Sequence, residues 1–132
     1  ALERLGATLL DDVAVPISKI AELVERVEAL AQRYELTIGI FGHAGDGNMH
    51  PTIVHDHGDA AAAERAQLAF ARIVEIAQSL GGTASGEHGI GLIQKPYMPV
   101  VFKNSSLEIM KGIKKAFDPN NILNAGKIFD VN

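Results

Sequence analysis

The chain has five histidines and no cysteine, so any site it builds must rely on imidazole and carboxylate rather than thiolate. Two of the histidines lie in the stretch Gly42-His43-Ala44-Gly45-Asp46-Gly47-Asn48-Met49-His50-Pro51. Asp46-Gly47 between two apolar runs predicts a two-residue type I′ hairpin turn, which needs positive φ at both central positions. That turn pairs Gly45 with Asn48, Ala44 with Met49 and His43 with His50. Directly opposed residues of an antiparallel pair have Cβ atoms roughly 4.5–5.5 Å apart on one face. Two imidazoles so placed suit a shared divalent ion. Alternation puts Phe41, His43, His50 and Thr52 on one face and Ile38, Ile40, Met49 and Ile53 on the other. One face therefore reads as core and the other as a site.

A second stretch, Gly86-Glu87-His88-Gly89-Ile90-Gly91, sets a carboxylate beside an imidazole among glycines that let backbone approach a ligand closely. Two histidines and one carboxylate form a common ligand set that leaves coordination positions open for substrate. We assign His43, His50 and Glu87 to a divalent metal. His88 then remains as a general base, because an imidazole pKa near 6.5 suits proton transfer at neutral pH. Against this, a single histidine on a strand is ordinarily structural, and it is the cross-strand pairing that favours function. Asp46 is explained by its turn. Asn48 reads either as turn chemistry or as a hydrogen bond to substrate, and Thr52, on the histidine face, is a further candidate substrate contact. His55 and His57 fit a solvated turn better than a ligand pair.

The elements that must position these residues follow from periodicity. Leu2, Leu5 and Leu9 read as a helical stub, and Asp12–Val15 as a short strand stopped by Pro16. Ile17, Ile20, Leu23, Val24, Val27, Leu30 and Ala31 keep the spacing of an amphipathic helix over residues 17–33. The hairpin arms run over 35–41 and 48–54, with Pro51 requiring the second arm to be an edge strand or irregular. Asp59 caps a helix over 60–80, ended by Gly81-Gly82. Thr83-Ala84-Ser85 reads as a fourth strand. The order β-α-β-β-α-β predicts a ferredoxin-like α+β sandwich with an antiparallel sheet. A C-terminal helical extension follows, with Ser105-Ser106-Leu107-Glu108 as capping box, Ile109, Met110, Ile113 and Phe117 as its apolar stripe, and 120–132 as an extended closing segment.

At 132 residues the chain is long enough for one domain with a real core. A net charge of −4 gives no electrostatic footprint for nucleic acid. No apolar run reaches the roughly 18 residues of a membrane span, and no signal peptide is visible. The absence of cysteine fits a reducing compartment, so a cytoplasmic location is expected, with membrane association through partner subunits as the alternative. The first residue is Ala1 rather than Met, and a helical stripe is already under way, so a fragment of a larger protein is expected.

Three blocks together carry a resemblance: Gly42 to Pro51, Ser85 to Gly91, and Phe117-Asp118-Pro119-Asn120-Asn121-Ile122-Leu123-Asn124-Ala125-Gly126-Lys127. In this order they closely resemble the FAD-linked oxidase C-terminal domain, the cap half of flavoproteins of the vanillyl-alcohol oxidase type, and in particular members acting on glycolate, D-lactate or D-2-hydroxyglutarate. The resemblance implies oxidation of a D-2-hydroxy acid to the 2-oxo acid, with hydride passing to FAD. His43, His50 and Glu87 match the family's divalent-metal ligands, often for zinc or manganese, and His88 matches its base. Asn124 and Lys127 match a closing segment that the family places close to the flavin. Ile17 and Ala125 depart from the family pattern, which often has Arg and Pro there. The resemblance also implies a partner, the FAD-binding domain of the same parent chain, without which residues 1–132 should be inactive. Two other readings remain open: a free-standing metal-dependent hydrolase, and a non-catalytic ferredoxin-like module that self-associates through its sheet.

Overall fold

The computed structural model describes residues 2–131, so Ala1 and Asn132 lie outside the described residues. The chain divides into two compact units, Ala1–Glu87 and His88–Asn132.

The first unit holds β1 (Ala7–Leu10), β2 (Val13–Ala14), α1 (Ile20–Tyr34), β3 (Thr37–His43), β4 (Asn48–His55) and α2 (Ala60–Ser79). β4 is central, with β3 antiparallel on one side and both β1 and β2 antiparallel on the other. β1 and β2 keep one register against β4, Leu10 facing Thr52 and Val13 facing Met49, so they are two halves of one strand. Asp11 and Asp12 span the gap, opposite Pro51 and His50. Pro51 explains the interruption. Its carbonyl accepts the Asp11 N–H at 2.9 Å, but proline has no N–H to return. The strand containing Pro51 is thus not an edge strand. It is the irregular one, and the irregularity is expressed in its neighbour.

Beyond β2 the expected fourth strand shrinks to a single bridge, Thr83 with Ala14. Including that bridge, the spatial order is fourth, first, third, second, all antiparallel, which is the ferredoxin-like arrangement. The α+β expectation holds. The opening helical stub does not: Leu2–Arg4 form one 3-10 turn, and Leu9 lies in β1, where backbone pairing with Ile53 overrides a chance helical spacing of leucines.

The two helices cover one sheet face. Leu23, Val27 and Leu30 of α1 and Ala66, Ala69, Phe70, Ile73 and Ala77 of α2 are buried, together with Val13 and Ile53 from the sheet. α1 starts at Ile20 rather than Ile17, because Ile17–Lys19 form a 3-10 turn after Pro16. It ends with Glu35 in the left-handed region and Leu36 N–H reaching back to the Ala31 carbonyl. α2 begins as expected, with the Asp59 carboxylate accepting the Ala62 N–H at 2.9 Å.

The hairpin differs from the expected register. His43 faces Asn48 and Phe41 faces His50, so residues 44–47 form a four-residue loop. Gly47 has φ +82° but Asp46 keeps a negative φ, so a type I′ turn is not formed. The Asp46 carboxylate instead accepts the Asn48 N–H at 3.0 Å, and the N–H groups of Asp46 and Gly47 both reach the His43 carbonyl at 3.1 Å. Gly47 also sits against the Val15 carbonyl, where any Cβ would come within 1.9 Å. The slip is by two residues. Side chains alternate with period two, so every residue stays on its expected face.

The second unit holds α3 (Met98–Val101) and α4 (Asn104–Phe117). The expected capping box is absent: α4 begins at Asn104 after Lys103, and no side chain caps it. Leu107 is buried, whereas Ile109, Ile113 and Phe117 of the expected stripe are exposed. The closing segment is looped rather than extended. Asp118 accepts the N–H groups of Ile122 and Leu123 and pairs with Lys114, and Asn121 and Asn124 take positive φ. Lys114 and those N–H groups hold the Asp118 carboxyl at about 2, below its ordinary value.

Candidate metal centre

The sheet face away from the helices carries the site. β3 brings His43 and β4 brings His50, while Glu87 comes from the segment after the Thr83 bridge. His43 and His50 are diagonal rather than directly opposed, and their rings still meet edge to face with centroids 5.5 Å apart. Diagonal neighbours on one face remain within reach of long side chains. His43 Nε2 lies 3.2 Å and His50 Nε2 3.4 Å from the same oxygen, Glu87 Oε1. Ligand atoms held 2.0–2.2 Å from a metal at tetrahedral or octahedral angles are separated by about 3–3.5 Å. The two separations from Glu87 Oε1 therefore match edges of a coordination polyhedron. The ligand atoms of the three residues all lie within 4.8 Å of one another, a group that could hold a metal ion. His43 and Glu87 are about half exposed, and His50 is mostly enclosed.

Asp12 was not among the residues that sequence reasoning selected, where it marked only the start of a strand. Its side chain is buried, and one oxygen, Oδ2, accepts the Ser85 hydroxyl at 2.9 Å and the backbone N–H groups of Gly86 at 3.0 Å and Glu87 at 3.1 Å. The other oxygen, Oδ1, stands 3.4 Å from His50 Nδ1. The signal that could have found it is the ladder itself, because Pro51 forces a break opposite itself and the residue facing His50 is then a carboxylate.

Asp11, beside it, falls by register on the helix-covered side with Leu9 and Val13. It is fully buried, and burial pushes its carboxyl up to about 7 despite the Asp12 N–H that it accepts, with the charge of Asp12 adding to the rise. Its Oδ2 has no hydrogen-bond partner.

Asn48 is buried beneath the Glu87 loop, and a Cβ at Gly86 would sit 2.0 Å from its Oδ1. Gly86→Ala is therefore expected to lower stability by about 1–3 kcal/mol through overpacking and to displace Glu87. Thermal unfolding checks the first effect. Recovery in the double variant Gly86→Ala/Asn48→Ala checks the cause. Thr52 is buried on the histidine face, its hydroxyl 3.4 Å from the His50 carbonyl. His55 and His57 lie at and beyond the far end of β4, away from the hairpin loop. His88 follows Glu87 directly and is exposed at the start of the second unit, and Asn124 and Lys127 are exposed in the closing loop of that unit.

Comparison with known proteins shows the family of the chain. The family described as FAD linked oxidases, C-terminal domain, matches residues 1–128. The chain is 48% identical over 130 residues to glycolate oxidase subunit GlcD of Bacillus subtilis, covering 98% of this chain and 28% of the relative. It is 41% identical over 118 residues to a D-lactate dehydrogenase of Archaeoglobus fulgidus, covering 89% of this chain and 26% of the relative. With a probable mitochondrial D-lactate dehydrogenase of Danio rerio it shares 36% over 120 residues, covering 91% and 24%. The chain thus spans about a quarter of the length of these relatives. Among the described residues no helix is long and apolar enough to cross a membrane. A whole-chain family match and relatives of this similarity leave one assignment: the chain belongs to the FAD linked oxidase C-terminal domain family.

Proposed function

We propose that this chain is the cap domain of an FAD-dependent enzyme that oxidises a D-2-hydroxy acid of the glycolate or D-lactate class, and that His43, His50 and Glu87 hold a divalent metal, zinc or manganese. The observation that carries the proposal is the convergence of two imidazole Nε2 atoms on one Glu87 oxygen. The relatives support the substrate class, being named glycolate oxidase and D-lactate dehydrogenase. A metal bound there would orient and acidify the substrate hydroxyl while FAD, held by another part of the parent chain, accepts the hydride.

This chain's residues then have separate tasks. The two histidines and Glu87 fix where the α-hydroxyl and carboxylate of the substrate sit. His88, next to Glu87 in the chain, takes the hydroxyl proton as the hydrogen on the same carbon leaves with its electron pair, giving the 2-oxo acid. In this reading Asn48 and Thr52, on the histidine face of the sheet, serve the substrate, and Asn124 and Lys127 serve the flavin.

The test is bound metal in the full-length parent, beside a His43→Ala/His50→Ala double variant. Near-stoichiometric zinc or manganese that the double variant loses, with flavin bleached by glycolate or D-lactate only in the native enzyme, is the expected result. Flavin reduction that survives both the variant and chelation would sink the metal role. Substrate hydrolysis without flavin would instead establish a metal-dependent hydrolase.

A further inference from the structure

We propose that Asp12 is a positioning residue that locks His50 in the tautomer able to ligate and, with its other oxygen, ties down the Glu87 loop. The inference rests on the metal reading above but adds a residue from a third element. The carboxylate divides between two tasks. Oδ2 receives Ser85 Oγ and the N–H groups of Gly86 and Glu87, so it fixes the backbone from which Glu87 projects. Oδ1 stands 3.4 Å from His50 Nδ1 and 3.4 Å from the Glu87 N–H.

An ionised carboxylate can only accept hydrogen bonds. The 3.4 Å approach of His50 Nδ1 to Oδ1 is a charge contact rather than a formed hydrogen bond. The buried carboxylate charge favours the tautomer with the proton on Nδ1, leaving Nε2, the atom turned toward Glu87 Oε1, with its lone pair. Metal-ligating histidines commonly donate their other N–H to a carboxylate, which sets ring orientation and raises ligand basicity. Here the same carboxylate also sets the third ligand, so one side chain pre-organises two ligands that lie 37 positions apart in the chain. The enclosure of both groups strengthens the effect, with the His50 side chain 13% and the Asp12 side chain 2% exposed.

Asp12→Asn separates the two tasks. Three donors converge where Oδ2 sits, so the amide oxygen must occupy that position and the amide nitrogen must face His50. That nitrogen donates, Nδ1 must accept, and the imidazole proton moves to Nε2, the atom that a metal would need. The loop stays tied while the tautomer inverts. Ser85→Ala does the reverse, removing one loop contact and leaving the tautomer alone.

The experiment uses the full-length parent with isotope-labelled histidine, metal-free, at about pH 9, well above an ordinary imidazole pKa of about 6.5. Ring-nitrogen shifts of His50, assigned with His50→Gln, should show the Nδ1–H form in the native chain and in Ser85→Ala, and the Nε2–H form in Asp12→Asn. Titration with manganese(II) alone should give a dissociation constant about ten- to a hundredfold higher in Asp12→Asn than in the native chain. An Nε2–H form in the native chain, or native manganese affinity in Asp12→Asn, overturns the inference. The native tautomer is decisive even if Asp12→Asn does not fold. A native chain that shows the Nδ1–H form yet binds neither manganese(II) nor zinc(II) overturns the metal assignment while upholding the tautomer lock.

Discussion

His50→Ala in the full-length parent is expected to lower kcat/KM for the hydroxy acid by about a thousandfold, or about 4 kcal/mol of transition-state stabilisation. Of the two histidines, His50 should matter more. It is mostly enclosed between Asp12 and Glu87, whereas His43 is more than half exposed. In the proposed metal site, loss of His43 would leave His50 and Glu87 as two ligands that water can complete. Loss of His50 also strips Asp12 of a buried partner, which costs about 1–3 kcal/mol of stability on its own. Steady-state kinetics, bound metal and thermal unfolding measured together separate these contributions. A His50→Ala enzyme with native kcat/KM would remove the metal centre from the mechanism.

Asp11→Asn should stabilise the metal-free protein, by an amount that depends on pH in the direction opposite to acid denaturation. Burial raises the Asp11 carboxyl from 3.8 to about 7. Between those values the folded chain binds a proton that the unfolded chain has released, so the Asp11 contribution to stability falls as pH rises. Below about pH 4 both states are protonated and the variant gains nothing. Above about pH 7 both are ionised, and the full cost of a buried charge with an unpartnered oxygen is on the order of 4 kcal/mol. Asparagine avoids that charge, and its amide oxygen can still accept the Asp12 N–H. Denaturant unfolding at pH 4, 6 and 8 checks this. A gain that is equal at all three pH values would mean that Asp11 is not neutralised by burial.

The faces of the hairpin were legible because they depend only on parity. The register was read two residues out, yet His43 and His50 converge as expected, since a slip of two preserves the side on which each residue points. The slip itself was not legible, because it depends on Gly47 packing against the Val15 carbonyl, a contact made by a distant strand. The helices α1 and α2 were readable from spacing, and the Asp59 cap from local chemistry. Asp12 was hidden for a different reason. Its value lies in what the Pro51 gap sets opposite His50, and no local pattern encodes a missing hydrogen bond in a neighbouring strand. The stripe of α4 was visible as a pattern, but pattern alone does not say what covers Ile109, Ile113 and Phe117.

The Asp12 clamp also bears on the order in which the site assembles during folding. His43 and His50 arrive together by closing a short hairpin, an event of microseconds. The bonds from Asp12 to Ser85, Gly86 and Glu87 close loops of 73 to 75 residues and must await docking of both helices and the strands between them. A nascent chain therefore displays two histidines long before it can present the carboxylate. Any ion captured at that stage is held by two ligands only and exchanges freely. Selection of the proposed ion would thus fall to the finished fold, because only chain closure brings in the third proposed ligand.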